Sequence, residues 1–289
     1  MEPESSIVLV RPTRLGARLS QCVETFMIRA IAVLAILAVA LPARADDSAK
    51  VLAPTGTLRA AYIAANPVQA FVDPATKEVR GPGAEITREL AKRAGVPFTI
   101  TGAKGVDGVL EAAKNGTADI GFLAFDPVRA AQVDFSQDYS LAQNTYVVVE
   151  SSPIKSVADA DRAGVRIGVS ARDAGDYFLT KALKHAELKR NEGGISDTIV
   201  KALLAGELDA YAGNRMRLHE AAQKTPGLRL VPDNFYGVEQ AVIVPKGDTA
   251  KLSIIERFID EARASGFIAD AIKRSGLIGV DVAPAGMRK

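Results

Sequence analysis

The amino-acid sequence predicts an α/β protein of two lobes, each built around a mainly parallel sheet. Three features point to it. The order strand, helix, strand, helix, strand occurs twice between residues 56 and 212, a pattern that folds into parallel sheets with right-handed crossovers. The second occurrence repeats the first in register, with Gly206 matching Gly116 and Asp209 matching Asp119. Two apolar runs, Thr145–Val149 and Gln240–Val244, flank the second unit and lead to Pro153 and Pro245; they read as the two crossings between lobes.

Along the chain, the first 45 residues stand apart. Met27-Ile28-Arg29 is followed by a twelve-residue apolar run, Ala30–Leu41, and by Ala43-Arg44-Ala45. A positive start, a short apolar stretch and a small-residue exit are the three parts of a secretory signal peptide. The run is shorter than the roughly twenty residues a membrane span needs. Cleavage is expected after Ala45. Residues 1–26 precede this signal and hold acidic residues unusual for its start, so translation is expected to begin at Met27, with 1–26 a start-site artefact.

The first unit opens with Gly56-Thr57-Leu58-Arg59-Ala60-Ala61-Tyr62, a β-like run, followed by a helical stretch Ala84–Ala94. Val106–Lys114 places Val106, Val109, Leu110 and Ala113 on one helical face, Asn115-Gly116 stops it, and Thr117–Phe122 starts a strand. In the second unit Gly164–Val169 is the β-like run, Gly175–His185 the first helix, and Ile199–Leu204 the second helix, stopped by Ala205-Gly206. Glu207–Ala212 then starts a strand. A last helix, Ala250–Ser265, returns to lobe 1 with Leu252, Ile255, Phe258, Ile259 and Ala262 on one face; residues 280–289 read as a loose tail. The predicted division is therefore a leader at 1–45, lobe 1 at 46–148 plus 244–289, and lobe 2 at 149–243.

Composition excludes several classes. The 289 residues contain 36 Lys+Arg and 34 Asp+Glu, and the leader carries five arginines and three glutamates, so the remainder is formally neutral. That balance excludes a nucleic-acid binder working through a basic surface. The one cysteine, Cys22, lies in the leader, which excludes an internal disulfide framework and a thiolate zinc site. His185 and His219 lack a second ligand at metal spacing, so no metal is expected. Gly102, Gly105 and Gly108 read as a glycine-rich loop, but no Lys-Ser/Thr follows, so it is no phosphate loop. No serine sits in a nucleophile elbow. No cofactor and no catalytic residue is predicted.

The most specific stretch is Ala118–Tyr139, which contains Ala124-Phe125-Asp126-Pro127-Val128-Arg129 and Val133-Asp134-Phe135-Ser136. It resembles the signature of the family 3 extracellular solute-binding proteins, the polar amino-acid group of ABC-transporter receptors. Gly56–Arg59, Glu85–Arg93 and Gly206–Ala210 extend the resemblance over nearly the whole mature chain. It implies a type II periplasmic binding protein, with two Rossmann-like lobes, two hinge strands and a ligand cleft between them.

The resemblance also implies a set of ligand-binding positions. Arg129 matches the arginine that grips a ligand carboxylate, a task suited to a guanidinium fork. Asp126, N-cap of a helical turn begun by Pro127, would leave backbone N–H groups facing an anion. Ala124 lends backbone groups. Arg172 and Asp173 lie in the lobe 2 strand-to-helix loop that cradles the carboxylate. Asn214 stands where an aspartate usually holds an amino group, and Asn66 where an aromatic side chain usually stacks. These departures leave an amino acid, an amine or an organic acid open as ligand. The implied partners are a small polar ligand and an ABC-transporter membrane permease, the implied compartment is the periplasm, and a monomer is expected. An alternative on the same fold is a periplasmic cyclohexadienyl or arogenate dehydratase with Asp126 or Asp173 as acid or base. A ligand sensor for a signalling partner is a third.

Overall fold

The computed structural model describes residues 43–64 and 66–287. The expected apolar run of the signal peptide and the start-site reading of 1–26 lie outside the described residues, and the chain from Ser48 onward forms one unit. Ala43-Arg44-Ala45 is the first turn of α1 (Ala43–Leu52).

The first unit runs β1 (Leu58–Ile63), a small hairpin of β2 (Phe71–Val72) and β3 (Val79–Arg80), α2 (Pro82–Ala94), β4 (Phe98–Ala103), α3 (Gly105–Lys114) and β5 (Ile120–Ala124). A four-residue turn, α4 (Pro127–Ala130), leads into β6 (Val133–Val149). The second unit repeats the order with β7 (Arg166–Ser170), α5 (Ala174–Ala182), β8 (Glu187–Asn191), α6 (Asp197–Leu204) and β9 (Ala210–Asn214). Then come α7 (Arg215–Lys224), β10 (Leu228–Leu230), β11 (Tyr236–Pro245), α8 (Thr249–Ala264), α9 (Phe267–Arg274) and β12 (Val280–Val282).

In both units the first strand is central. β1 pairs in parallel with β4 and β5, and β7 with β8 and β9. Each sheet continues through an antiparallel strand from the other half of the chain, β11 beside β5 and β6 beside β9. The result is the two-lobed α/β fold expected from the repeat. Each lobe packs helices on both sheet faces. In lobe 1, Ile86 and Leu90 of α2 share a core with Ile255, Phe258 and Ile259 of α8, while Val109 and Leu110 of α3 cover the other face. In lobe 2, Leu179 of α5 lies with Ile167 and Val169, and Leu203 and Leu218 pack on the opposite face around Tyr211.

The matched residues of the echo do the same work in both lobes. One Asp119 carboxylate oxygen accepts from the Arg59 backbone N–H at 2.9 Å and from its Nε at 3.0 Å, and the other from Nη2 at 2.8 Å. Asp209 takes the same three groups of Arg166 at 2.8, 2.9 and 3.1 Å. Gly116 and Gly206 have φ of 72° and 69°, a left-handed conformation that stops each preceding helix and that L side chains rarely adopt.

Three expectations need correction. Thr145–Val149 already pairs with β9 and β10, and Gln240–Ile243 already pairs with β5. The crossings therefore fall just before each run, where Leu141–Asn144 lies against Tyr236–Glu239. Apolar content marks where a strand is covered on both faces, not where it passes between cores. Residues 280–282 are no loose tail: β12 adds to the edge of β6 opposite Ser140–Ala142, and Ala283 is fully buried. Gly102, Gly105 and Gly108 form no loop, lying in β4 and α3.

Candidate functional site

The parallel strands of both lobes end at one cleft, as open α/β sheets place their ligand sites outside the carboxyl ends of strands. Four segments line it: the turn after β1, the β5–α4 turn, the β7–α5 turn and the β9–α7 junction. They bound two adjoining cavities, of about 790 and 550 Å³, which share Ala174 and Val238. The seven residues singled out by sequence divide between them. Asn66, Asp173 and Asn214 line the larger cavity; Ala124, Asp126, Arg129 and Arg172 line the smaller.

In the smaller cavity, β5 ends at Ala124 and Pro127 opens α4. Asp126 Oδ1 accepts from the N–H groups of Val128 at 2.9 Å and Arg129 at 3.1 Å. This corrects the expectation that those N–H groups face an anion, because the side chain that caps the turn also occupies its donors. The half-buried Arg129 donates from Nη1 to the Ala124 carbonyl at 2.8 Å, which fixes the guanidinium beside the cleft. No carboxylate partners it among the described residues.

On the lobe 2 wall, Arg172 has φ of 65° and donates its backbone N–H to Asp176 at 2.9 Å. Its guanidinium turns to Glu192 at 3.0 Å, with both side chains exposed. Asp173 caps α5 by accepting from the Asp176 N–H at 2.8 Å. Burial pushes the Asp173 carboxyl above the usual carboxylate range, against the backbone hydrogen bond that favours its charged form.

Asn214 ends β9 and caps α7, its Oδ1 accepting from the N–H of Met216 at 3.1 Å. It lies in register opposite Asn144 of β6, a buried residue of the larger cavity. Asn66 sits in the turn after β1, where its N–H donates to the Ile63 carbonyl at 2.8 Å. The turn is pinned by Gln69, fully buried, which accepts from the Ile63 N–H at 3.1 Å and donates to Gln240 of β11 at 3.2 Å.

Sequence reasoning missed the aromatic wall. Phe178 of α5 stacks on Tyr236 of β11 with centroids 4.9 Å apart and on Phe235 at 5.8 Å, and Phe235 packs on Tyr146 at 4.8 Å. Tyr177, Phe178, Tyr236 and the cation Lys181 line the smaller cavity. The pairs Tyr177-Phe178 and Phe235-Tyr236 are visible as dipeptides, but only the fold brings segments nearly sixty residues apart into contact. Asn144 and Gln69 gave no signal either, since isolated amides in apolar surroundings carry no pattern.

Among the described residues no group of three or more His, Cys, Asp or Glu could hold a metal ion, and no helix is long and apolar enough to cross a membrane.

Comparison with known proteins follows the same outline. The profile of the bacterial extracellular solute-binding proteins, family 3, matches residues 58–275. Among solved structures, the second substrate-binding domain assigned to an amino acid ABC transporter of Streptococcus pneumoniae is similar at TM-score 0.62 and 22% identity, over 75% of this chain and 99% of that one. An ancestral cationic amino acid solute-binding protein matches at TM-score 0.59 and 22% identity, over 80% and 99% of the two chains. An ancestral cyclohexadienyl dehydratase matches at 0.55 and 22%, over 79% and 96%. At such identities the likeness is one of fold. Curated proteins include no match.

Proposed function

The chain belongs to the bacterial extracellular solute-binding proteins, family 3, and from that premise we propose that it is the receptor of an ABC importer, capturing a small polar ligand between its lobes by hinge closure. The observation that carries this reading is Arg129, a half-buried cation without a carboxylate partner among the described residues, in a cavity walled by both lobes. Arg129 takes a ligand acid group through paired charge-assisted hydrogen bonds. Asp173 offers its second carboxylate oxygen and Asn214 its side-chain amide N–H to the rest of the ligand, since the Asn214 oxygen already caps α7. Asn66 closes the far side, and Arg172 guards the rim.

Closure turns on the two strands that link the lobes, near Leu141–Asn144 and Tyr236–Glu239. Lobe 2 runs from the first of those crossings to the second and lobe 1 takes the residues on either side, which shifts the expected boundaries at 148/149 and 243/244 back by a few residues each. As the lobes close, water leaves the cleft and the bonds to the ligand strengthen. The protein acts in the periplasm as a monomer after loss of its leader behind Ala45, and the closed form docks on a membrane permease.

Mass spectrometry of small molecules carried through purification, with a thermal-shift screen of amino acids, amines and organic acids, tests the reading. A polar ligand recovered chemically unchanged and raising the melting temperature is the expected result. Failure of every class to bind would sink it. A second reading rests on Asp173, a cleft carboxyl with a raised pKa, which could serve as a general acid in a dehydratase of prephenate or arogenate. Turnover of either compound would favour it.

A further inference from the structure

The two cavities of the cleft differ in charge. The larger contains Asp173, Glu220 and a single cation, Arg217, among neutral amides. The smaller contains three cations, Arg129, Arg172 and Lys181, and one carboxylate, Asp126. Two of those four charges are already engaged: Asp126 by the Val128 and Arg129 backbone N–H groups, and Arg172 by Glu192 at the rim. Arg129 and Lys181 have no carboxylate partner among the described residues.

These two cations sit on opposite walls. Arg129 belongs to α4 of lobe 1 and Lys181 to α5 of lobe 2. Lining the same cavity are Phe178, stacked on Tyr236 at 4.9 Å, and Tyr177, a residue 61% exposed. A cavity of about 550 Å³ has room for a single-ring compound with substituents. Aromatic faces favour a flat partner. A guanidinium fork suits a carboxylate, and an ammonium acts as a point charge for a second anionic group.

We infer that the smaller cavity anchors a flat, aromatic ligand carrying two anionic groups, one held by Arg129 and the other by Lys181. The inference rests on the receptor reading and names the ligand class for it. Because the two cations lie on different lobes, the second negative charge is the one that ties the lobes together. A monoacid engages Arg129 alone; a diacid bridges the cleft.

Calorimetry with isophthalate, benzoate, glutarate and L-arginine tests this, beside small-angle scattering to follow closure. Isophthalate is expected to bind about tenfold or more tighter than benzoate and to reduce the radius of gyration. Lys181→Met, an exposed position on α5, is expected to erase that advantage by weakening isophthalate far more than benzoate, and Lys181→Arg to retain it. Should isophthalate bind no better than benzoate, or Lys181→Met leave its advantage intact, the inference falls. If L-arginine binds while the aromatic acids do not, the receptor reading survives and this ligand class is wrong. If none of the four binds, the inference falls by itself; the receptor reading falls with it only if the wider screen of amino acids, amines and organic acids also finds no ligand.

Discussion

Removing the carboxylate from each of the two repeated ion pairs should cost unequal amounts, although the pairs use the same atoms. Asp119 is 3% exposed and its partner Arg59 27%. Asp119→Ala deletes three acceptor contacts and leaves the Arg59 guanidinium and backbone N–H without their partner. Breaking a buried pair costs about 3–5 kcal/mol. The part of Arg59 that reaches water can be rehydrated, which sets the expected loss near the lower end, about 3 kcal/mol. In lobe 2 the corresponding exposures are 34% for Asp209 and 37% for Arg166, and Arg166 keeps a bond to the Gly206 carbonyl at 2.7 Å. Water screens that pair, so Asp209→Ala should cost about 1–2 kcal/mol, mostly the lost bond to the backbone.

Urea unfolding of both variants, compared at equal m-values, reads the difference directly. In thermal unfolding each kcal/mol is worth about 2–4 °C for a chain of this size. A loss for Asp209→Ala equal to or greater than that for Asp119→Ala would refute the reasoning, because burial would then not decide the value of the pair. The Asp209 pair also has a pH signature. Burial opposes ionisation of Asp209, but the hydrogen bonds from Arg166 outweigh it and hold the carboxyl below its usual range. Its contribution is therefore present above the unfolded pKa and is lost as pH falls through the lower folded value.

Arg129→Ala should abolish ligand binding, a loss of about 2–5 kcal/mol by calorimetry, with the circular dichroism spectrum and melting temperature of the free protein little changed; retained affinity would show that the ligand acid sits elsewhere. Asp173 has the opposite sign to Asp209. Burial raises its folded pKa, so the folded state is penalised at neutral pH and gains stability as pH falls through that raised value. Asp173→Asn keeps the helix cap and should raise stability at neutral pH, an advantage that fades as the falling pH protonates the wild-type carboxyl; no gain at neutral pH in urea titrations would count against it. Ending the chain after Gly279 removes β12 and the Ala283 carbonyl that accepts from Arg263 at 2.9 Å. A loss of about 2 kcal/mol or more is expected from the buried Val280 and Ala283 and the exposed edge of β6, whereas a true tail would cost nothing in the same assay.

The sequence determined what depends on near neighbours. Helical spacing in Val106–Lys114 and Leu252–Ala262, and the glycine stops at Gly116 and Gly206, are local properties of the backbone and of side-chain periodicity. The repeat of those features was enough to set the α/β class and the two lobes. The motif around Arg129 marked one wall of the cleft for the same reason, because its residues are adjacent in the chain.

The tertiary structure decided whatever depends on contacts between distant segments. It moved the crossings to Leu141–Asn144 and Tyr236–Glu239, since apolar runs report burial and not which core buries them. It turned residues 280–282 into a strand on β6, where an exposed edge supplied the hydrogen bonds that a short sequence cannot specify alone. It gave the Asp126 side chain the N–H groups that sequence had assigned to an anion. It also assembled the aromatic wall from Phe178 and Tyr236 and set Arg129 and Lys181 in one cavity from separate lobes. Residue types and their local order travel with the chain, whereas the charge and shape of a cleft arise only when segments far apart in sequence share the same few ångströms.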